Sequence, residues 1–221
     1  MSKRNVGLSE PAYKHILELI MTKRLMPGNR IPETRIAEEF NISRTPVRDA
    51  MRQLSNEGLI EIFPNRFAQV KVYGDDAIQE IGTVRVALDT MSVKLAGLYG
   101  SRADFLHLLE LAEQCSEASA QGDSEKRRVY DSAYHLELAR IAGNSLLCKF
   151  QKELQLRVQF IQLHHPNPVE NETLHLRQHK EIAEALMEHD EKRALSLICS
   201  HLTSFYNLKQ TYPENFFQMM L

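Results

Sequence analysis

The sequence predicts a mostly α-helical fold, with a small N-terminal unit that holds one β-hairpin and a larger all-α C-terminal bundle. Apolar residues recur at helical spacing along most of the 221 residues. Strand-like alternation is confined to about residues 59–72, and glycine or proline breaks divide the remainder into helices. We therefore expect two domains, residues 1–73 and residues 74–221.

The first two helices are short and amphipathic. A helix over about residues 11–25 buries one apolar face: Tyr13, Ile16, Leu17, Ile20 and Met21. Residues 26–29 form the turn that leaves it. A second helix over residues 31–40 turns Ile36, Ala37 and Phe40 inward.

Residues 41–58 predict a third helix with a marked start. Ser43 is placed to cap it by accepting a backbone N–H bond, and Pro46 falls in the first turn, where no N–H is needed. One face is apolar: Val47, Ala50, Met51 and Leu54. The opposite face is polar: Arg44, Thr45, Arg48 and Arg52. An arginine-bearing face is usually only solvated, but two short helices joined by a tight turn make a helix-turn-helix.

The stretch after Gly58 changes from helical to strand period. Leu59, Ile60 and Ile62 precede a turn at residues 64–66, and Ala68, Val70 and Val72 follow it. Two short strands joined in this way form a hairpin. With the preceding helices, the hairpin predicts a winged helix-turn-helix domain.

The N-terminal domain resembles the GntR family of bacterial transcription regulators. The resemblance rests on Pro27-Gly28, Ile36-Ala37, residues 42–50 (ISRTPVRDA), Leu54 and residues 57–59 (EGL), and it covers the whole domain. It implies that Ser43, Arg44, Thr45 and Arg48 contact double-stranded operator DNA. Arginine would read guanine edges in the major groove, and the hydroxyls would hold phosphates.

Two positions depart from the family pattern. Thr34 stands where several members have a DNA-contacting arginine, and we expect it to contact DNA with Arg35 as the compensating residue. Phe67 replaces the glycine usual in the wing turn. Asn65 tolerates a left-handed backbone and can make that turn, and Arg66 would reach the adjacent groove.

Charge is distributed unevenly between the two predicted domains. Residues 1–73 hold 12 Lys and Arg against 8 Asp and Glu, a net charge of +4, whereas the remainder holds 15 against 21, a net charge of −6. The positive part favours phosphate contact, and the acidic part suits a bound cation. No apolar stretch approaches a membrane span and no secretory signal is evident, so we expect a cytoplasmic protein without a membrane partner. The three cysteines show no paired spacing.

The C-terminal domain is predicted to be a bundle of six helices. They cover about residues 75–99, 102–121, 123–142, 145–164, 168–188 and 190–210. The breaks carry cap or breaker residues at positions 100–101, 122–123, 143–144, 165–168 and 189–190.

Histidines are the candidate metal-binding residues of this bundle, and eight of the nine in the chain lie after residue 73. Asp131 and His135 are four residues apart, so they share a helix face and can share a cation. Surface hydrogen bonding or a satisfied buried histidine would give the same spacing. Apolar neighbours place the pair toward the interior, and His179 and His201 lie on two later helices that can converge on it.

The bundle resembles the FCD ligand-binding domain of the FadR subfamily, and its six helices are closest to the VanR-like branch. The matching positions are Arg85, Asp89, residues 131–135, residues 142–144, His179 and His201. The resemblance implies that Asp131, His135, His179 and His201 bind a divalent metal ion. This ligand set suits zinc, nickel, iron or manganese and does not choose among them. We expect zinc or nickel in a purified sample. His175 lies one turn from His179, and the family pattern alone favours His179.

An anionic effector, a small carboxylate, could complete the shell of such a metal. Arg85 resembles the family arginine that holds a second oxygen of this ligand. An ordinary helical ion pair with Asp89 is the alternative. Asn144 and Arg157 are the other effector-site candidates.

We weigh three function classes. The first is a metabolite-responsive transcription repressor that binds a palindromic operator as a homodimer, because one recognition helix reads only a few base pairs. The second is a metal-dependent hydrolase, but no general base is evident and the DNA-binding domain argues against an enzyme. The third is a FadR-like sensor of an acyl thioester, which has no use for four metal ligands. We expect the first.

Overall fold

The computed structural model describes residues 3–64, 66–165, 169–213 and 216–217. Within these ranges, the N-terminal elements are α1 (Lys3–Met21), α2 (Glu33–Glu39), α3 (Arg44–Asn56), β1 (Ile60–Phe63) and β2 (Phe67–Val70). The C-terminal elements are α4 (Asp75–Tyr99), α5 (Arg102–Ala120), α6 (Ser124–Ile141), α7 (Ser145–His164), α8 (Val169–Met187), α9 (Glu191–Phe205) and the 3₁₀ helix η1 (Leu208–Gln210). The predicted mostly helical fold with a small hairpin is confirmed.

Packing divides the chain into two compact units. One consists of Met1–Tyr73 with Leu156–His164, and the other of Gly74–Gln155 with His165–Leu221. Helix α7 therefore contributes residues to both units. None of the helices in the described ranges is both long and apolar enough to span a lipid bilayer.

The first unit contains the helix-turn-helix. Helices α1 and α2 both pack against α3. The shared core is formed by Ala12, Ile16, Ile20, Ile36, Ala37, Val47, Ala50, Met51 and Leu54. Between α2 and α3, Asn41 adopts φ +49° and the N–H of Ile42 donates to the carbonyl of Ala37 over 3.0 Å. Asparagine tolerates this left-handed conformation, which is why the turn can be so short.

The hairpin is antiparallel, with Ile60 paired to Val70 and Phe63 to Phe67. The segment before α2 joins its edge through a bridge between Arg30 and Gln69. This small sheet is the wing. The turn assigned to Asn65 lies outside the residues that the structure describes.

Two predicted details of the N-terminal unit differ from the structure. Helix α1 begins at Lys3 and includes Pro11 in its interior. The prediction began it at about residue 11, because the sequence before that position shows no regular apolar period. Ser43 is the N-cap of α3 with extended backbone, but its side chain makes no capping hydrogen bond. Its hydroxyl is exposed instead.

The second unit is a helical bundle. Helix α5 packs against α6 and α8, and α9 packs against α4 and α8. Its largest fully buried side chains include Tyr134, Tyr206, Phe105, Leu108 and Leu138. The last helix ends at Phe205 rather than near residue 210, because Asn207 turns left-handed at φ +54° and starts η1. The predicted break at residues 166–168 falls outside the described part of the chain.

Candidate metal centre and nucleic-acid interface

Four polar side chains meet inside the second unit. Asp131 and His135 come from α6, His179 from α8 and His201 from α9. Each offers one ligand atom, and these atoms all lie within 4.8 Å of one another. All four residues are buried. The four-residue spacing puts the α6 pair on one face, and the bundle brings the two later helices to it.

The three imidazole rings of this cluster lie close to one another. The ring centroids are 5.3 Å apart for His135 and His179, 5.5 Å for His135 and His201, and 4.6 Å for His179 and His201. Tyr134 stacks on His179 at 4.5 Å and donates a 2.7 Å hydrogen bond to its carbonyl oxygen. The tyrosine thereby fixes where α8 presents this histidine.

Burial favours the neutral form of His179 and His201. Desolvation lowers the pKa of His179 to about 3, although the charge of Asp131 acts in the opposite direction. Desolvation, followed by the neighbouring histidines, also holds the pKa of His201 well below its usual range. Neutral imidazole is the form that binds a metal ion, so His179 and His201 need not lose a proton at neutral pH.

The buried histidines fit a metal ion because most of their ring nitrogens make no hydrogen bond within the described part of the chain. Both ring nitrogens of His135 and His179 and Nδ1 of His201 are buried without a hydrogen bond. His135 Nδ1 lies 3.3 Å from Asp89 Oδ1, but without the alignment of a hydrogen bond. Unsatisfied buried groups cost about 1–3 kcal/mol each. Three imidazoles and one carboxylate are a donor set suited to first-row divalent ions.

His175, the alternative to His179, lies at the edge of this cluster. It is buried, and its ring centroid is 4.9 Å from that of His201. Its ligand atoms are not among the four that converge within 4.8 Å. The geometry therefore groups His179, rather than His175, with the other three residues.

Arg85 belongs to a buried network beside the cluster. Its Nε lies 3.2 Å from Asp89 Oδ2, and its Nη1 donates to the hydroxyl of Tyr206 over 3.1 Å. Asp89 Oδ1 also accepts from Gln151 over 2.7 Å. Burial alone would raise the pKa of Asp89, but His135, Arg85 and Gln151 together lower it. The remaining nitrogen of Arg85, Nη2, is buried without a hydrogen bond.

The other two effector-site candidates do not lie in this network. Asn144 is exposed, and its Oδ1 accepts the backbone N–H groups of Leu146 and Leu147 at the start of α7. Arg157 donates to the backbone carbonyls of Glu57 and Asn56. Asn144 therefore caps the start of α7, and Arg157 satisfies carbonyls at the end of α3. Their assignment to the effector site stays a prediction.

Several contacts of this network were not predicted from the sequence. Asp89 was predicted as a position of the FCD resemblance and as an ion-pair partner of Arg85, but it also contacts Gln151 and His135. The sequence feature that could have predicted the role of Asp89 is a carboxylate four residues from an arginine, with apolar residues around both. No sequence feature predicts the roles of Tyr206 and Gln151, because these roles depend on contacts between distant segments.

The proposed DNA-contacting residues lie on the surface of the first unit. They are Thr34 and Arg35 on α2, Ser43 at the cap of α3, Arg44, Thr45 and Arg48 on α3, and Arg66 in the wing, all exposed. Glu33, absent from the prediction, is placed among them: its Oε1 lies 2.8 Å from Nε of both Arg44 and Arg48.

The wing also makes a cation–π contact. The guanidinium of Arg30 lies over the ring of Phe67 at 4.2 Å, and Phe67 packs against Phe63 at 4.8 Å. The aromatic residue that replaces the expected glycine therefore supports the hairpin by side-chain packing. Arg66, next to it, is exposed.

Comparison with known protein families gives two matches. Residues 8–70 match the bacterial regulatory proteins of the gntR family, and residues 80–204 match the FCD domain. The second match alone covers more than half of the chain.

Two characterised relatives come from Escherichia coli K12. The Uxu operon transcriptional regulator is 30% identical over 224 residues, which span 90% of this chain and 84% of that protein. The HTH-type transcriptional regulator McbR is 28% identical over 155 residues, 70% of each chain.

Solved structures show the same fold. The structure of E. coli McbR/YncC superposes with a TM-score of 0.72 at 23% identity and covers 96% of this chain and 100% of that one. A transcriptional regulator GntR from Rhodococcus sp. RHA1 gives a TM-score of 0.76 at 20% identity, with the same coverage. With both domains matched, the chain belongs to the GntR family with a C-terminal FCD domain and is a DNA-binding transcription regulator.

Proposed function

We propose that this regulator is a metabolite-responsive repressor, in which residues 1–73 bind a palindromic operator and residues 74–221 sense a small organic acid at a divalent metal ion. The convergence of Asp131, His135, His179 and His201 is the observation that supports this proposal most directly. A ligand that favours one domain arrangement by a few kcal/mol would shift operator occupancy substantially.

The metal would be held by one carboxylate and three imidazoles. Zinc or nickel is the expected ion in a purified sample, with iron or manganese as alternatives. When bound, the ion supplies a Lewis-acidic position for a carboxylate oxygen. Asp89, 3.3 Å from His135 Nδ1, would orient that ring, as outer-shell carboxylates commonly do.

Arg85 is the residue proposed to hold the effector. Its Nη2 is buried and without a hydrogen bond, while Nε and Nη1 are fixed by Asp89 and Tyr206. Asp89 contacts both Arg85 and His135, so the guanidinium lies beside the cluster. A carboxylate with one oxygen near the metal could accept from this nitrogen with the other.

Exposed apolar side chains support a homodimer. Val84, Met91 and Leu98 recur every seven residues along α4 and are 53%, 47% and 70% exposed. Leu146 and Phe150 form a second exposed pair on α7, at 62% and 49%. Burying such stripes against a second copy would also supply the two-fold symmetry that a palindromic operator requires.

The relatives support regulation rather than catalysis. One of them, RspR of E. coli K12, is named a transcriptional repressor and is 24% identical over 94% of this chain and 92% of its own. The Uxu protein is named for the operon it regulates. A regulator of this kind would act in the cytoplasm, where the chromosome lies. An acyl thioester sensor without metal would leave the buried imidazole nitrogens unexplained.

Metal content and operator binding test the proposal together. The purified protein should contain about one zinc or nickel ion per chain by elemental analysis, and His135→Ala should lose it. His107→Ala is the matched control, because His107 is exposed on α5 and pairs only with Glu110 among the described contacts.

Operator binding is measured on genomic fragments retained by the protein at moderate salt. We expect enrichment of a short palindrome, and release of that DNA by one member of a panel of small carboxylates only when the metal is present. If His135→Ala keeps both its metal and its effector response, the metal-centred function is wrong.

A further inference from the structure

Glu33 stands between the two arginines of the recognition helix. Its Oε1 accepts a 2.8 Å hydrogen bond from Arg44 Nε and forms a 2.8 Å ion pair with Arg48 Nε. The glutamate side chain is 21% exposed, whereas those of the arginines are 56% and 51% exposed. One carboxylate oxygen thus links the first residue of α2 to two exposed cations of α3.

Glu33 does not contact the terminal guanidinium nitrogens, Nη1 and Nη2, of either arginine through these two contacts. Each contact with Glu33 uses Nε, so neither consumes a terminal guanidinium nitrogen. An arginine that reads guanine donates in parallel to O6 and N7, which requires a fixed fork. Arg44 and Arg48 are also four residues apart, so their like charges repel, and the shared carboxylate offsets that repulsion.

A carboxylate at this surface is unfavourable for binding phosphate. Duplex DNA is densely negative, and each neutralised phosphate adds to affinity through counterion release. Glu33 therefore cannot serve sequence-independent affinity. Its contribution must instead be to orient the two arginines. A flexible side chain loses conformational entropy when DNA binding orders it, and an arginine that Glu33 already holds in place loses less.

We propose that Glu33 is a specificity-determining positioning residue, which holds Arg44 and Arg48 by their Nε atoms and so aims their terminal nitrogens at base edges. The proposal builds on the DNA binding established by the family. It predicts opposite effects on the two kinds of DNA. Loss of the carboxylate should weaken sequence-specific binding and strengthen binding to arbitrary duplex.

The test compares wild type, Glu33→Gln and Glu38→Gln. The last variant removes a charge from an exposed position of the same short helix and serves as the matched control. Each full-length protein is titrated at several salt concentrations with two probes. One is the duplex most enriched by wild type from a random 30-base-pair library, where about 30 base pairs accommodates two half-sites, and the other is a scrambled duplex of equal composition.

We define the specificity ratio as the dissociation constant for the scrambled duplex divided by that for the enriched duplex. For Glu33→Gln, we expect this ratio to fall by roughly fivefold or more. The scrambled duplex should bind more tightly, with a steeper dependence on salt. Equal changes for both duplexes, or a lowered melting temperature with uniformly weaker binding, would overturn the proposal in favour of a charge or folding effect. The wild-type arm reports separately on whether an operator exists.

Discussion

Gly58 shows how one residue can combine a backbone need with a steric one. It ends the recognition helix at φ +83°, a left-handed conformation. A Cβ atom there would lie 2.4 Å from Nε of Arg157 and 2.8 Å from the hydroxyl of Tyr73. Arg157 satisfies the last carbonyls of α3, and Tyr73 donates to the carbonyl of Gly58 itself over 2.7 Å. Glycine is therefore required on both grounds.

Gly58→Ala should lower the free energy of unfolding of the N-terminal unit by about 2–4 kcal/mol, since left-handed strain and overpacking add. Urea denaturation followed by circular dichroism measures it. The control is Gly28→Ala in the same unit, which has φ +84° but only Val72 Cγ2 at 3.7 Å from the added Cβ. That variant should lose about 1–2 kcal/mol. Equal losses would contradict the steric part of the argument.

Helix starts in the bundle are fixed by local chemistry that the sequence displays. Ser101 and Asp104 form a reciprocal capping box at α5: the serine hydroxyl accepts from the Asp104 N–H, and the carboxylate accepts from the Ser101 N–H. Arg140 on α6 also donates to this carboxylate. One aspartate thus joins the start of one helix to the end of the next.

The capping box gives a pH-dependent prediction. Hydrogen bonds from the Ser101 side chain and backbone, then from Arg140, lower the pKa of Asp104 from 3.8 to about 2. Because the folded pKa is depressed, the stabilisation is present above about pH 4 and is lost as pH falls toward 2. Asp104→Asn should therefore cost about 0.5–1 kcal/mol at pH 7, and this difference should shrink below pH 4.

Urea denaturation of wild type and Asp104→Asn at pH 7, 4 and 3 measures this change. Glu113→Gln, in the middle of α5 and exposed, controls for the loss of a negative charge. A difference between wild type and Asp104→Asn that stays constant down to pH 3 would argue against the carboxylate as the capping group.

At the scale of the whole molecule, the histidine cluster joins three helices that are distant in sequence. His135, His179 and His201 come from α6, α8 and α9, so a shared ion would crosslink these helices in the folded state only. A ligand that binds only the folded state stabilises it by mass action, by about 4 kcal/mol when present at 1,000 times its dissociation constant.

Removing the metal should therefore lower the melting temperature of the bundle by roughly 10 °C, given about 2–4 °C per kcal/mol for chains of this size. Differential scanning calorimetry before and after dialysis against a chelator measures the shift. His179→Gln should melt at the same temperature in both states, whereas His107→Ala should respond as wild type does. A full chelator response in His179→Gln would exclude His179 as a ligand.

The sequence by itself determined the elements and the family. The recognition helix could be located because its capping position, its proline and its apolar period each depend on residues that are close together in the sequence. Val47, Ala50, Met51 and Leu54 are buried where that period placed them. The limits of α1 and α9 were less accurate, because a polar extension and a left-handed asparagine leave little periodic signal.

Tertiary structure alone decided which polar residues share an environment. Spacing could pair Asp131 with His135 on one helix, but only packing brings His179 and His201 to them and leaves His175 at the edge. Packing also brings Arg157 to the end of the recognition helix and places Glu33 between two arginines. Such contacts join segments far apart in the chain, and their distances depend on how whole helices pack, which no local pattern encodes.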